Sequence, residues 1–264
     1  MSLSKYLMIP RLAWFSLRAP RNQQKAWERY WSGIRRTGRD GDVLWDAESE
    51  DELGQSRSLL EAHMDTTLPI VDIGCGNGSH TRMLARCFPR VMGIDVSAAA
   101  VDTAREESRD VENIEYRAVD CTTPGIGARP AAELGECNVH VRGVFHVLNH
   151  KKRRIMVQNV ADILGERGTL YLLETNHDGN PLDFLSHLGA TPGSIPGPLQ
   201  RVVESGIRVP TAVGERLYRK YFSDDEWQTL HCDEAAIHTT LGRDGDELHS
   251  VRGLCAIARR RVRH

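Results

Sequence analysis

The stretch Val71-Asp72-Ile73-Gly74-Cys75-Gly76-Asn77-Gly78 (VDIGCGNG) decides how this chain folds. An apolar run leads into it and an amphipathic stretch follows, which is typical of a strand, a tight loop and a helix in succession. Gly74, Gly76 and Gly78 let the backbone turn sharply and approach a ligand where a Cβ atom would collide. The spacing predicts a nucleotide-binding loop. The alternative is a tight turn that binds no ligand.

Short apolar runs alternate with longer amphipathic stretches from Ile70 onward, which is typical of βαβ units and a mainly parallel sheet. The sequence therefore predicts an α/β fold. Strands are predicted at Pro69–Ile73, Val91–Ile94, Ile114–Val119, Asn138–Val141 and Thr169–Glu174. Helices are predicted at Thr81–Cys87, Ala98–Arg109, Gly143–Leu148 and Lys151–Leu164.

The alternation stops after Glu174. Residues 176–222 contain the Gly/Pro-rich stretch GATPGSIPGP at 189–198. A loop of this length in a compact domain is usually functional or disordered. We therefore expect residues 176–222 to form a substrate cap inserted into a core of residues 67–264. Residues 1–66 are predicted to form an N-terminal helical extension or cap.

Three elements are predicted near the C-terminus. A helix is expected at Asp224–Leu230, because Ser223 and Glu226 form a capping-box pattern. Two strands are expected at Ala235–Leu241 and Gly253–Ala258, joined by an Asp-Gly turn at Arg243–Asp246.

Acidic residues end the second and third predicted strands. Asp95, in Gly93-Ile94-Asp95-Val96-Ser97, lies where a carboxylate can accept hydrogen bonds from both ribose hydroxyls of a nucleoside. Asp120, in Val119-Asp120-Cys121, could accept from an adenine amino group. Each has a plainer interpretation, since Asp95 could cap the next helix and Asp120 could order a turn.

Together these residues resemble the class I, Rossmann-like S-adenosylmethionine-dependent methyltransferases of the small-molecule or natural-product type. The resemblance covers residues 70–174 well and the last strands more loosely. It implies S-adenosyl-L-methionine as cofactor. It also implies a seven-stranded, mainly parallel sheet with helices on both faces and an antiparallel last strand, for which Gly253–Ala258 is the candidate.

The resemblance also implies a cofactor site. The glycine loop would lie under the methionine part of the cofactor, and Asp72 would order that loop and the cofactor's amino group. Asp95 would hold the ribose and Asp120 would meet the adenine. The segment Trp27–Trp31 resembles a helix that many of these enzymes fold over the cofactor, although an amphipathic helix packed on the sheet is the alternative. The implied cofactor-binding residues are Tyr30, Asp72, Gly74, Cys75, Gly76, Gly78, Asp95, Val96, Asp120, Cys121 and Arg142.

The fourth predicted strand departs from the family pattern. The family commonly has an acidic residue at its start, whereas this chain has Cys137-Asn138-Val139-His140-Val141. Arg142 stands where the magnesium-dependent catechol methyltransferases place their first metal-ligating aspartate, so we expect no metal. The motifs of the adenine, cytosine-amino and cytosine-C5 DNA methyltransferases are absent, so we expect no nucleic acid partner.

His146 is the first candidate for a catalytic base. It follows the fourth predicted strand, near the edge where ligands bind in open α/β sheets, and an imidazole suits proton removal near neutral pH. The alternative is a histidine that only stabilises the fold. His150 and His177 are weaker candidates, and Glu174 and Asp178 could also face the site.

The composition limits the binding partners and the cellular compartment that the sequence is compatible with. The 264 residues carry a formal net charge of −2, which gives no general attraction to nucleic acid. Basic residues cluster at both ends and are expected to be solvated, with an acidic partner or a membrane surface as alternatives. No stretch is apolar enough to span a bilayer. Six scattered cysteines without a Cys-x-x-Cys pair favour a reducing cytoplasm.

The leading hypothesis is methyl transfer to a small, partly apolar molecule, by O- or N-methylation in secondary metabolism. One alternative is a carboxyl or amine methyltransferase acting on a peptide, because Arg201, Arg208, Arg216 and Arg219 could hold a carboxylate. Another is a cofactor-binding auxiliary protein without transferase activity. The glycine spacing and Asp120 argue against a nicotinamide dehydrogenase. A homo-oligomer is left open.

Overall fold

One seven-stranded sheet organises the computed structural model, which describes residues 3–17, 19–244 and 247–261. The strands follow the order β3-β2-β1-β4-β5-β7-β6. Strands β1 to β5 are parallel, and β7 is antiparallel to both β5 and β6. The predicted fold class and its antiparallel last strand are confirmed. The strands are β1 (Ile70–Ile73), β2 (Val91–Asp95), β3 (Ile114–Ala118), β4 (Asn138–Arg142), β5 (Thr169–Thr175), β6 (Trp227–Asp244) and β7 (Glu247–Arg260).

Helices cover both faces of the sheet. On one face Val71 and Val139 pack against Met156 of α7, and on the other Ile70 packs with Leu60 of α3. Short 3-10 helices lie at Leu3–Met8 and Phe145–Val147. The helices of the described ranges are α1 (Ile9–Ser16), α2 (Gln23–Ser32), α3 (Glu50–His63), α4 (Ser79–Leu84), α5 (Ala98–Glu107), α6 (Ala128–Leu134), α7 (His150–Leu164), α8 (Pro181–His187), α9 (Gly197–Ser205) and α10 (Glu215–Tyr221). None of these is long and apolar enough to cross a membrane.

The order of the strands reverses beside β1. The chain adds β2 and β3 on one side of β1 and then returns to place β4 on the other side. In open α/β sheets, ligands bind in the crevice outside the carboxyl ends of the strands at such a switch point. The segments that follow β1 and β4 therefore border the expected site.

The prediction of a helix at Asp224–Leu230 is wrong. The carbonyl of Ser223 accepts the N–H groups of Glu226 and Trp227, which makes a turn, and β6 begins at Trp227. The Trp227 ring is fully buried against Phe222, and the residues after it pair with β7. Burial of this ring within the sheet outweighs the local capping pattern, because tertiary packing overrides weak helix propensity.

Other elements differ in extent. The predicted helix at Gly143–Leu148 is a 3-10 turn, and α6 was not predicted. Strands β6 and β7 extend beyond the predicted Ala235–Leu241 and Gly253–Ala258. In the predicted turn at Arg243–Asp246, the last two residues lie outside the described residues.

A buried charge ties the N-terminal helices to the sheet. Glu52 lies in the first turn of α3, where its Oε1 accepts from Nε of Arg142 at 2.6 Å. Its Oε2 accepts the backbone N–H of His238 on β6 at 2.8 Å. The Glu52 and Arg142 side chains are nearly buried. Removal of one partner of such a pair leaves an uncompensated buried charge.

We expect Glu52→Ala to lower the free energy of unfolding by about 3–5 kcal/mol, because Arg142 would lose its carboxylate partner. Glu61→Ala on the same helix is the matched control, since it removes only an exposed contact with Arg57 and should change stability far less. Urea unfolding followed by circular dichroism measures both. Small and equal losses would show that the Glu52–Arg142 pair does not hold α3 to the sheet.

Candidate cofactor and acceptor site

The loop after β1 lies very close to two neighbouring segments. Gly74 has a φ of +79°, and a Cβ atom there would lie 2.2 Å from Cγ2 of Val144, which follows β4. Gly76 has a φ of +56°, and its Cβ would lie 2.9 Å from the ring of Trp31 on α2. The left-handed backbone and the close approach both require glycine. Trp31 belongs to the segment that the resemblance predicted to fold over the cofactor, and its ring lies against the loop and lines the adjacent cavity.

A cavity of about 390 Å³ opens beside this loop. Its volume is in the range of small-molecule sites. The predicted site residues that line it are Gly74, Gly76, Asp95, Val96, Asp120, Cys121, Arg142 and His146. The structure therefore brings these residues together. Tyr30, Asp72, Cys75 and Gly78 lie outside the cavity wall.

Asp72 faces the interior of the protein. Its Oδ2 accepts from the hydroxyl of Thr81 on α4 at 2.6 Å, and its Oδ1 lies 2.8 Å from Nδ1 of His140 on β4. The His140 ring is stacked between His80 and Tyr171. Both carboxylate oxygens are thus engaged within the fold, and Asp72 fixes the helix that follows the glycine loop.

Tyr30, Cys75 and Gly78 support the site from behind. The hydroxyl of Tyr30 accepts the N–H of Leu44 at 3.3 Å, its ring stacks on Trp45, and burial raises the pKa of the phenol. Burial likewise raises the pKa of the Cys75 thiol. A Cβ atom on Gly78 would lie 2.3 Å from the hydroxyl oxygen of Tyr116. These residues shape the cavity without lining it.

Asp95 is buried at the end of β2 and lines the cavity. Its Oδ2 accepts the N–H of Gly76 at 3.1 Å, and its Oδ1 accepts the N–H of Ser97 at 2.9 Å. The N-cap of α5 is Ser97, so the capping alternative for Asp95 is wrong. Burial raises the pKa of Asp95 to about 6. Each oxygen keeps a second lone pair that can accept from a ligand hydroxyl.

Asp120 orders the turn after β3 and also lines the cavity. Its Oδ1 accepts from the backbone N–H and the hydroxyl of Thr122, at 2.8 and 2.5 Å. This is the local interaction expected of a turn aspartate. Its Oδ2 lies 3.9 Å from Nζ of Lys152 on α7. The turn interpretation and the ligand interpretation are compatible, because Oδ2 can still accept from an amino group.

Glu174 organises the segment that follows β4. It is fully buried near the end of β5 and accepts backbone N–H bonds from Val144, Phe145 and His146, at 2.8–3.1 Å. Its Oε2 also lies 2.7 Å from Nδ1 of His146, although the contact is not directed as a good hydrogen bond. Because Nδ1 is buried beside this carboxylate, Nε2 is the nitrogen of His146 that remains for proton transfer with a ligand. Apart from an acidic residue at a strand end, no sequence pattern indicated this role of Glu174.

The rest of the cavity wall is mainly apolar. Helices α8 and α9 supply part of it, with further side chains from β6 and β7 and the rings of Trp27, Trp31 and Trp45. Thr175 and Thr239 add hydroxyl groups, and the exposed Arg21 and Arg208 add positive charge. The apolar side chains include Phe184, Leu185, Leu188, Leu199, Val202, Ile207, Ile237 and Val251. Within residues 3–17, 19–244 and 247–261, no group of three or more His, Cys, Asp or Glu side chains is placed to hold a metal ion.

Comparison with known proteins gives consistent matches. Residues 70–168 match the family model described as a methyltransferase domain. A solved S-adenosylmethionine-dependent methyltransferase from Anabaena variabilis ATCC 29413 has a TM-score of 0.78 and 29% identity, covering 92% of this chain and 97% of that one. A tRNA (guanine-N(7)-)-methyltransferase of Mycolicibacterium gilvum is 28% identical over 72% of each chain. A trans-aconitate 2-methyltransferase of Rhodopseudomonas palustris is 26% identical over 80% of this chain and 69% of the relative.

The sheet order, the glycine loop and the buried acid after β2 define a Rossmann-like methyltransferase domain. The chain is a class I S-adenosylmethionine-dependent methyltransferase. Its cofactor is S-adenosyl-L-methionine. The residues present fit that group, because the loop has no Cβ atoms at its closest points and two carboxylates line the cavity beside it. We propose that Asp95 holds the ribose and Asp120 the adenine amine.

We expect S-adenosylhomocysteine to bind more weakly as the pH falls through about 6. Protonation of Asp95 removes the acceptor for the ribose hydroxyls, so affinity should fall by up to about tenfold per pH unit. Asp95→Asn should weaken binding at pH 7.5 by about 1.5–3 kcal/mol and abolish this pH dependence. Calorimetry between pH 5 and 8 measures both effects.

The control is Asp102→Asn, which alters an exposed carboxylate on α5 and should leave affinity unchanged. The free energy of unfolding should depend on pH with the opposite sign from the affinity for S-adenosylhomocysteine. Because the pKa of Asp95 is raised from 3.8 to about 6, its contribution to stability is fully present below pH 3.8 and is lost as the pH rises through 6. An affinity for S-adenosylhomocysteine that does not change with pH would contradict the role of Asp95.

Proposed function

We propose that this methyltransferase acts on a small, partly apolar molecule and methylates an oxygen or nitrogen atom of it, as in secondary metabolism. One observation carries the proposal. The cavity beside the glycine loop and Asp95 continues into a chamber walled by α8 and α9, and His146 lines the same cavity. The cofactor would lie toward Asp95 and Asp120, and the acceptor would lie in the apolar chamber. Such walls favour a ligand that buries apolar surface.

His146 and Glu174 can supply proton transfer. The cofactor supplies a methyl group on a sulfonium centre, so the protein has mainly to align the acceptor atom and exclude water. Nε2 of His146 would accept the proton of an acceptor hydroxyl. The buried carboxylate of Glu174, 2.7 Å from Nδ1, would stabilise the imidazolium that forms. Glu174 also accepts the backbone N–H of His146, so the side chain that faces the ring also fixes the backbone that carries it.

The peptide alternative has less support. Arg201 donates to Asp42, and Arg219 contacts Glu215 and Asp224. This alternative was based on four arginines. Arg208 lines the cavity, whereas Arg201, Arg216 and Arg219 do not. Within the described chain, the basic cluster therefore does not converge on the site. The auxiliary-protein alternative is disfavoured by the His146–Glu174 contact, which cofactor binding alone does not require.

The relatives' names give different acceptors, a tRNA in one case and trans-aconitate in the other. A tRNA site needs a basic surface that neutralises phosphates. The chain has a net charge of −2, and the cavity wall is mainly apolar. Both facts favour a small molecule over a nucleic acid.

We further propose that different parts of the chain form the core and two caps over it. Residues 1–66 would form the N-terminal cap of the core at 67–264, and α8 and α9 within 176–222 would form the substrate cap. Tyr218 and Phe222 pack with Trp227 in the main core, so α10 would belong to the core. The six cysteines are free thiols, which supports a reducing, cytoplasmic location.

We expect turnover with a partly apolar alcohol, phenol or amine. The test is a panel of such compounds, with trans-aconitate, a peptide and tRNA as further acceptors, and release of S-adenosylhomocysteine as readout. The apolar chamber predicts that a small apolar acceptor gives the highest kcat/KM. Turnover confined to tRNA or to the peptide would contradict the proposal.

We expect His146→Ala to lower turnover of a hydroxyl acceptor by roughly 10²–10⁴-fold, the usual size of a general-base contribution. Cofactor affinity, measured by calorimetry, should change little. The exposed His150→Ala is the matched control and should keep wild-type turnover. A His146→Ala variant that binds cofactor and keeps full turnover would reject His146 as the base and favour alignment alone.

A further inference from the structure

The first helical segment exposes apolar side chains. The 3-10 helix at Leu3–Met8 leads directly into α1. Among the described residues, every large apolar side chain that is exposed lies on this segment: Tyr6, Leu7, Ile9, Trp14 and Leu17. Leu7, Trp14 and Leu17 are 69%, 67% and 78% exposed. Exposed large apolar side chains gathered on one short segment are typical of an interaction site. We call these five side chains the docking face.

The opposite side of the segment is anchored. Met8 is fully buried, and Leu12 and Phe15 pack against the cluster formed by α8 and α9. Lys5 pairs with Asp183 of α8. The segment is therefore apolar on both sides, which is the pattern of a helix with partners on both sides. The anchored side fixes the docking face outward.

The charge of this part of the chain indicates what kind of partner the docking face binds. Residues 1–27 contain Lys5, Arg11, Arg18, Arg21 and Lys25 and no acidic residue. The whole chain has a net charge of −2, so the remaining 237 residues carry −7. Lys5 is paired with Asp183, whereas Arg21 and Lys25, which follow the segment in the chain, are exposed. This local positive charge on an otherwise acidic protein is complementary to an anionic surface.

We propose that the docking face seats the protein on an anionic lipid surface. Exposed Trp, Tyr and Leu side chains with flanking Lys and Arg are the composition of helices that lie in a membrane interface. A second copy of the chain is a poorer partner, because a two-fold interface brings the same basic segment together from both subunits. The segment would attach to one leaflet and would not span the membrane.

The position of the segment gives this attachment a consequence. Phe184, Leu185 and Leu199 belong both to the cluster that anchors the segment and to the wall of the acceptor chamber. A bilayer on the docking face would therefore lie outside the wall of that chamber. The attachment itself does not depend on the proposed methyl transfer, and it can be tested without an acceptor.

The test is co-sedimentation of the full chain with vesicles of phosphatidylcholine alone or with 30% phosphatidylserine. We expect at least tenfold tighter binding to the anionic vesicles, weakened by salt because exposed charges are screened. Trp14→Ser combined with Leu17→Ser should reduce binding at least tenfold. These side chains are exposed, so the variant should keep its melting temperature and its affinity for S-adenosylhomocysteine.

A charge pair supplies the matched control. Lys25→Glu should weaken binding to anionic vesicles, whereas Arg109→Glu, the same charge change at an exposed residue just after α5, should not. Absent binding, equal binding to neutral vesicles, or binding unchanged by the Trp14/Leu17 variant would overturn the proposal. Light scattering covers the remaining case: a wild-type dimer that this variant dissociates would show that a second copy covers the docking face.

Discussion

The site depends on how closely the chain after β1 approaches the chain after β4. Gly74 leaves no room for a Cβ atom beside Val144, so the two segments are in contact at the switch point of the sheet. Val144 begins the short segment whose N–H groups bind the carboxylate of Glu174. The glycine loop, the segment carrying His146 and the end of β5 thus hold one another in place. A side chain at position 74 would separate the cofactor loop from the candidate base.

The carboxylates of this site differ in whether they can accept hydrogen bonds from a ligand, and their partners within the protein explain the difference. Asp72 has both oxygens engaged by Thr81 and His140, away from the cavity. Asp95 accepts one N–H on each oxygen and still lines the cavity. Its raised pKa reflects the free energy of keeping a carboxylate buried beside the cavity without a cation as partner. A bound ribose would supply the missing donors.

The sequence predicted the parts of this protein that local pattern controls. The five parallel strands lie within a residue or so of their predicted positions, because each is a short apolar run that ends in a turn. The glycine loop and Asp95 follow from their place after such strands. Tyr30 and Asp72 were assigned to the cofactor because a motif gives a residue's position and not the direction of its side chain. Glu52 was not predicted, since its partners on β4 and β6 are distant in sequence. The helix at 224–230 failed for the same reason, because burial of Trp227 is a tertiary effect.

We propose that one cavity holds the cofactor at Asp95 and presents an apolar chamber, with His146 between the two. A crystal structure of the protein with bound S-adenosylhomocysteine tests it most directly. We expect the ribose hydroxyls within hydrogen-bond distance of Asp95, and the sulfur atom directed toward His146 and the chamber walled by α8 and α9. A complex in which Asp95 does not contact the ribose, or in which the sulfur is shut off from that chamber, would contradict it.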